Sequence, residues 1–300
     1  LLLKAQAKGP PVQSRRFHFQ NGEIDMALSV NTNPGALAAL QHLNKTNVEL
    51  AMAQRRINTG LRVAGAKDDG GIYAIAQSMR GDVASLGAVR NSLSRVQSVV
   101  DTGLAAGEAV SDLLVAMKSK ALAASDTSLD AASRSALNED FKALRDQITT
   151  IVGNAEFAGT NLINNSTTQI QALANAAGAF ITILDENLLL GGGVITLTAA
   201  SVLDTATNAA ANAVVIDTSL DQLNQALARL GTASKSLATH SVFVSKLTDE
   251  LEKGIGALVD ADLAKESASL QALQVKQQLG IQALSIANQG PQILMALFRQ

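Results

Sequence analysis

Between Glu266 and Arg299 the chain carries one charge, Lys276, yet it is no membrane span, because glutamines at 271, 274, 277, 278, 282, 289 and 292 interrupt the apolar run. The other end behaves alike: from Ala27 to Gln54 only Lys45 and Glu49 are charged. Apolar residues near the end fall on more than one helical stripe. Ala268, Ala272, Val275, Leu279, Ala283 and Ile286 make one; Leu263, Leu270, Leu273, Ile281 and Leu284 make another. A helix apolar on several sides cannot bury itself against a single core. Charge-free, glutamine-rich flanks suit packing among many copies of the same chain, where a repeated like charge would repel. The candidate inter-subunit residues are therefore Leu43, Leu50 and Ile57 at one end, with Leu270, Leu273, Val275, Leu279, Ile281, Leu284 and Ile286 at the other.

Composition narrows the alternatives. Charged residues are 17% of the chain and aromatics 3%, with one Tyr and no Trp, so Ala/Leu helix packing is favoured over an aromatic core. A net charge of −2 without a basic stripe gives no electrostatic case for nucleic acid. No cysteine is present, so neither disulfides nor a thiolate-held metal can contribute.

Residues 1–25 have no apolar periodicity. Ser14-Arg15-Arg16-Phe17 lacks the apolar region an export signal needs. Gly22-Glu23 can be encoded by a purine-rich ribosome-binding sequence just ahead of Met26, so these residues are expected to be a disordered, non-native leader.

Proline occurs only at 10, 11, 34 and 291, which leaves Gly35 to Gly290 free for helix. Asn33-Pro34 is a helix start, with Asn as cap and Pro in the first turn. Leu43, Leu50 and Ile57 then recur at sevens, with polar Asn47 and Gln54 interrupting a companion track. The stretch from Gly60 to Gly71 breaks this helix. A sustained heptad follows through Leu86, Val89, Leu93, Val96, Val100, Gly103, Gly107, Val110, Leu114, Met117, Ala121 and Ala124, where the two glycines allow close approach. A turn at Ser125 to Asp130 precedes a shorter helix with Leu137, Phe141, Leu144, Ile148 and Ile151. Farther on, Leu223, Leu230, Leu237, Val244, Leu251 and Leu258 repeat at sevens, with a softer Leu227, Ser234, Ser241, Thr248 and Ile255 track between them.

These patterns predict a mainly α fold: an elongated antiparallel coiled-coil-like bundle with long terminal helices and a small β-hairpin insert. Terminal helices are expected over 26–66 and 262–300, the bundle over 67–165 and 219–261, and the insert over 166–218. The bundle core is expected to comprise Leu86, Val89, Leu93, Val96, Val100, Val110, Leu114, Leu223, Leu230, Leu237, Val244 and Leu251. Within the insert, Phe180–Leu184 and Val194–Thr198 are predicted to pair across Gly191-Gly192-Gly193.

The segment Ile57-Asn58-Thr59-Gly60-Leu61-Arg62-Val63-Ala64-Gly65-Ala66-Lys67-Asp68-Asp69-Gly70 resembles the SSGLRI-N-x-AKDDAAG signature of bacterial flagellins. Phe157-Ala158-Gly159-Thr160-Asn161-Leu162 is similar to the family's FNG-x-x-L. Val259-Asp260-Ala261-Asp262-Leu263-Ala264-Lys265-Glu266 resembles DADFAxE. Leu284-Ser285-Ile286-Ala287-Asn288-Gln289-Gly290-Pro291-Gln292, with Leu297-Phe298-Arg299, resembles the ANQ-x-PQ-x-x-L-x-LLR ending. The resemblance covers about Ala27 to Leu162 and Leu220 to Gln300. It implies a secreted subunit that polymerises with many copies of itself into an extracellular filament. The further partners it implies are the flagellar export apparatus, an export chaperone, and the filament cap and hook-junction proteins. Departures are local. Arg229-Leu230-Gly231-Thr232-Ala233-Ser234-Lys235-Ser236-Leu237 lacks the Asn-Arg of the usual RAxLGAxxNRL. In Lys118-Ser119-Lys120-Ala121-Leu122-Ala123, Lys118 and Lys120 stand in place of the Arg and Leu of the R-x-L-A-V-Q that a toll-like receptor recognises in many flagellins.

Nothing in the sequence points to an enzyme, a cofactor or a metal. Asp68-Asp69 reads as a capped turn, since no third acid lies near; the glycines around it lack the Gly-Lys-Ser/Thr of a phosphate loop. His18, His42 and His240 are scattered without motif partners. Asn44-Lys45-Thr46 fits a glycosylation pattern by chance, inside a helix. Ser166, Thr167, Thr168 and Ser201 are candidates for O-linked sugar because the insert should face solvent. A flagellar hook–filament junction protein is the related alternative, although such proteins usually read SDDP at this break. A lipid-surface-binding amphipathic protein is the alternative from another class; it would need flanking cations and aromatic anchors that the terminal helices lack, and no membrane insertion is expected.

Overall fold

The computed structural model describes residues 32–297, with side chains given through residue 289. The leader of the sequence reading, and Phe298 and Arg299 of its last motif, lie outside the described residues. Five helices and two short strand pairs are present among them: α1 (Pro34–Thr59), α2 (Gly70–Ala124), α3 (Ala131–Asn154), β1 (Glu156–Phe157), β2 (Thr160–Asn161), β3 (Gln169–Leu173), β4 (Phe180–Leu184), α4 (Ala206–Val259) and α5 (Leu263–Leu297). They divide into two compact units. One holds α1, α5 and the chain around Gly60 to Asp68; the other runs from Asp69 to Leu258.

The larger unit is organised by α2 and α4, of 55 and 54 residues, each roughly 80 Å long at about 1.5 Å per residue. Asp69 caps α2 by accepting from the backbone N–H of Gly71 and Ile72. The two helices run antiparallel: Lys118 pairs with Asp217, and Gln97 donates to Ser234 at 2.5 Å. Leu86, Val89, Leu93, Val96, Val100, Val110 and Leu114 of α2 are buried, as are Leu223, Leu230, Leu237 and Val244 of α4; Leu251 packs half-buried against them. The glycines on the α2 seam receive side chains rather than a backbone. A Cβ on Gly107 would lie 2.5 Å from Leu227 Cδ2, and one on Gly103 would lie 3.4 Å from Ile163 Cγ2. The softer α4 track is a polar seam, with Ser234 accepting from Gln97 and donating to Asp101 at 3.0 Å. Helix α3 closes the core with Phe141, Ile148 and Val152, all fully buried.

Two expectations about the insert are corrected. Phe180–Leu184 does form a strand, but its antiparallel partner is Gln169–Leu173, from Gln169 opposite Leu184 to Leu173 opposite Phe180. The intervening chain turns at Gly178, whose φ is +87°, and Asn175 Oδ1 accepts from the Ala179 N–H. Val194–Thr198 is not a strand. Positive φ at Gly191 and Gly193 turns the chain back on itself, so that Gly191 N–H reaches the carbonyls of Ile195 and Leu197. The Thr196 N–H is taken by Ser219 Oγ on α4, which removes it from any ladder. Ile195 and Leu197 still point inward and are fully buried, which gave the segment its strand-like alternation.

The second correction is length. The expected non-helical region 166–218 ends early, because α4 begins at Ala206. Thr205 Oγ1 accepts from the Asn208 N–H as an N-terminal cap, and Asn212 Nδ2 donates to the Val202 carbonyl. Ala209, Ala213 and Ile216 then face the core at helical spacing. The insert is continuous with the bundle rather than a separate body: the Leu173 N–H donates to Ser92 Oγ of α2, and Leu203 N–H to Asn138 Oδ1 of α3.

Candidate assembly surface

Helices α1 and α5 form an antiparallel pair held at four levels. Asn33, whose Oδ1 caps α1, also donates through Nδ2 to the Ala287 carbonyl at 2.6 Å. Gln277 donates to Asn47 Oδ1 at 2.7 Å, Arg56 Nη1 lies 3.0 Å from Glu266 Oε1, and the Ala261 N–H donates to the Gly60 carbonyl. Asn47, an interruption in the apolar track, thus has a polar partner at the matching level of α5 and fixes the register. Gly280 lets Leu43 approach, since a Cβ there would meet Leu43 Cδ1 at 3.3 Å.

The link between α1 and α2 follows from its glycine and acids. Gly60 ends α1 at φ +70°, a conformation that a side chain would strain. Arg62 and Val63 donate their N–H groups to the Val259 carbonyl, and Leu61 bridges Asp260. Asp68 Oδ2 accepts from Ala64 and Gly65, closing the turn before Asp69 caps α2. Asp262 caps α5 through the N–H groups of Ala264 and Lys265. The Asp68-Asp69 pair therefore spends its oxygens on backbone donors.

The ten candidate inter-subunit residues divide in two. Leu43, Leu50, Ile57, Leu270, Leu273 and Leu284 lie half-buried on the facing sides of the pair. Val275, Leu279, Ile281 and Ile286 point away, 55%, 58%, 54% and 69% exposed, and Leu37, Leu40 and Val48 of α1 are likewise uncovered. Val275, Leu279 and Ile286 share one face of α5 at helical spacing, while Ile281 and Leu263 belong to the stripe that turns Leu270, Leu273 and Leu284 toward α1 and are exposed at its margin. Large apolar side chains left uncovered in this way are what a partner-seeking surface presents.

The sequence reading missed a charged cluster where the insert meets α4. Arg229 forks onto Glu186, Nε to Oε1 at 2.5 Å and Nη2 to Oε2 at 2.6 Å. The preceding residue, Asp185, has its Oδ1 buried without a partner. Burial, reinforced by the Glu186 charge, pushes its carboxyl from 3.8 up to about 6 against a lowering bond from the Asn165 N–H. A carboxyl whose folded pKa is raised binds its proton more tightly in the folded state. Its contribution to stability is therefore fully present only below about pH 4 and is lost as pH rises from there through 6. Asp185→Asn is expected to stabilise the protein at pH 8 by about 1 kcal/mol, after allowance for solvent screening, and to flatten the slope between pH 4 and 7. Urea midpoints at pH 5 and 8 measure both. A variant less stable at pH 8, or one with the wild-type slope, contradicts the assignment.

Of the hydroxyls considered for sugar attachment, Ser166 and Thr168 are exposed and Thr167 is half-buried. Ser201 is half-buried in a turn, where its Oγ accepts from the Thr198 N–H and contacts Thr198 Oγ1. Among the described residues no group of three or more acids or histidines could hold a metal ion. No described helix is long and apolar enough to cross a membrane.

Comparison with known proteins gives a consistent picture. Residues 30–168 match the bacterial flagellin N-terminal helical region, and residues 214–298 match the bacterial flagellin C-terminal helical region. Flagellin FljM of Caulobacter vibrioides is 53% identical over 275 residues, covering 91% of this chain and 100% of that protein. A flagellin of Brucella melitensis is 37% identical, covering 90% of this chain and 99% of its own length. Among solved structures, a putative flagellar hook-associated protein from Vibrio parahaemolyticus is similar in fold, with a TM-score of 0.52 at 13% identity over 64% of this chain and 100% of that one.

Proposed function

This chain belongs to the bacterial flagellin family, and from that premise we propose how it works as a structural subunit of the flagellar filament. The observation that carries the reading is the uncovered apolar surface of α5, with Val275, Leu279 and Ile286 exposed on one face and Ile281 beside it, on a helix whose described remainder after Glu266 has one charge. In a polymer the same face on every copy meets apolar surface of its neighbours, and glutamine supplies hydrogen bonds without repeating a charge. Burial at roughly 25 cal/mol per Å² of apolar area then adds up along the filament. The terminal pair is the assembly element, and the α2–α3–α4 bundle with its insert is the body it carries. The role is structural, and the polymer is extracellular.

Further partners follow from the same premise: the flagellar export apparatus and an export chaperone before assembly, and the cap and hook-junction proteins at the filament's ends. A chain without cysteine, with marginal terminal helices, can be carried unfolded without forming disulfides on the way. Exposed Ser166 and Thr168 would present any attached sugar to solvent.

The test is polymerisation of the purified protein followed by sedimentation and electron microscopy. Long filaments are expected. A protein that stays monomeric but floats with liposomes would replace this reading with that of a lipid-surface protein.

A further inference from the structure

Each helix of the terminal pair contains one proline, and the two prolines differ in what they leave undone. Pro34 opens α1, where its missing N–H would have had no partner within the helix anyway. Pro291 lies inside α5, which continues to Leu297. An α-helix satisfies each carbonyl with the N–H four residues on, and at Pro291 that N–H does not exist. The carbonyl left open by this chemistry is that of Ala287. That same carbonyl accepts from Asn33 Nδ2, at 2.6 Å across the pair.

Both halves of the Asn33 amide are in use. Its Oδ1 accepts from the Ala36 N–H at 3.0 Å and so caps α1, while its Nδ2 serves α5. Aspartate caps a helix as well as asparagine does but has no proton to give, and serine caps it with a shorter reach. The bond sits at the open end of the pair; at the other end the Ala261 N–H donates to the Gly60 carbonyl. Asn33 and Ala287 are half-buried, and Ile286 beside them is 69% exposed. In a single chain, water can replace Asn33 at the carbonyl. Once neighbouring copies cover Ile286, water is excluded and an unpaired carbonyl bears its full desolvation cost.

We propose that Pro291 and Asn33 form a matched clasp. Pro291 opens the Ala287 carbonyl and Asn33 closes it, so α5 is completed only when the start of α1 is folded beside it. With an ordinary residue at 291 the helix would satisfy itself, and the first turn of α1 would lose this hold. The clasp rests on the filament reading and adds a condition to it: a subunit polymerises only with its two chain ends locked together.

A double-mutant cycle on the critical concentration for polymerisation tests the match, with Asn33→Ser and Pro291→Ala made singly and together. Asn33→Ser is expected to raise the critical concentration about three- to fivefold beside Pro291, and less than about twofold in the Pro291→Ala background, where the N–H is restored. Asn33→Asp separates the clasp from the cap. It keeps the capping oxygen and favours the helix dipole, so a residue that only capped α1 would tolerate it. The clasp instead predicts a rise of about tenfold, above that of Asn33→Ser, because an acceptor then faces an acceptor. Equal penalties for Asn33→Ser in both backgrounds would overturn the clasp while leaving the filament reading in place. So would a harmless Asn33→Asp, which decides the matter even where Pro291→Ala itself impairs polymerisation. Absence of filaments from the wild-type chain would instead remove the filament reading.

Discussion

Leu279→Asp or Ile286→Asp is expected to abolish polymerisation while leaving the larger unit folded. Both side chains are mostly exposed in the single chain, at 58% and 69%, so a carboxylate there stays hydrated and costs the monomer little. Once neighbouring copies cover the face, the same carboxylate is buried without a partner, at a cost of several kcal/mol per subunit. That is comparable to the whole margin of a contact, and it recurs at every subunit added. Sedimentation reports the polymer, and circular dichroism reports the helices of α2, α3 and α4.

Leu273→Asp is the informative contrast. Leu273 lies half-buried on the α1-facing side of α5, so a charge there attacks the α1–α5 pair before any neighbour arrives. It should loosen the terminal pair in the monomer, whereas the Leu279 and Ile286 variants should not. Normal filaments from either of the latter would remove the exposed stripe from the interface.

What was legible in the sequence follows from how each feature is encoded. The α2 seam could be read directly, because Leu86 through Ala124 keep a three-and-four spacing over many turns and nothing else produces that period. The insert was half legible. The alternation in Phe180–Leu184 marks a strand, but a strand's partner is set by where the turn falls. Asn175 and Gly178 place that turn before the strand rather than after it. The alternation in Val194–Thr198 comes from burial of Ile195 and Leu197 in an irregular segment, which periodicity cannot distinguish from a strand. The start of α4 was obscured by alanine and asparagine, whose contrast in hydropathy is too weak to show a stripe, although Asp204-Thr205 carried a capping signal. The pair between Glu186 and Arg229 spans 43 residues, and no local pattern encodes a contact at that separation. On α5, two apolar stripes were visible; that α1 takes Leu270, Leu273 and Leu284 but leaves Ile281 exposed is set with the register that Asn47, Arg56 and their partners Gln277 and Glu266 fix, a choice made only in three dimensions.

The amides of α1 and α5 are expected to exchange fast in the monomer and slowly in the filament, while those of Leu86–Met117 are protected in both. In the smaller unit the fully or nearly buried side chains among the described residues are Thr46, Ala53, Val63 and Val259, against an extended core of leucine, valine and isoleucine in the larger one. Small contacts return little against roughly 1–2 kcal/mol of backbone entropy per ordered residue. A lone helix pair with one half-buried seam therefore opens at small cost. The filament is expected to cover Val275, Leu279, Ile281 and Ile286, which leaves them exposed only in the single chain and couples folding of the ends to assembly. Protection at Leu37–Ile57 and Leu270–Ile286 should rise at least about a hundredfold on polymerisation, equivalent to about 2.7 kcal/mol of opening free energy. Equal protection of these amides in monomer and filament would mean that the pair folds alone, and the uncovered stripe would then be free to serve something other than assembly.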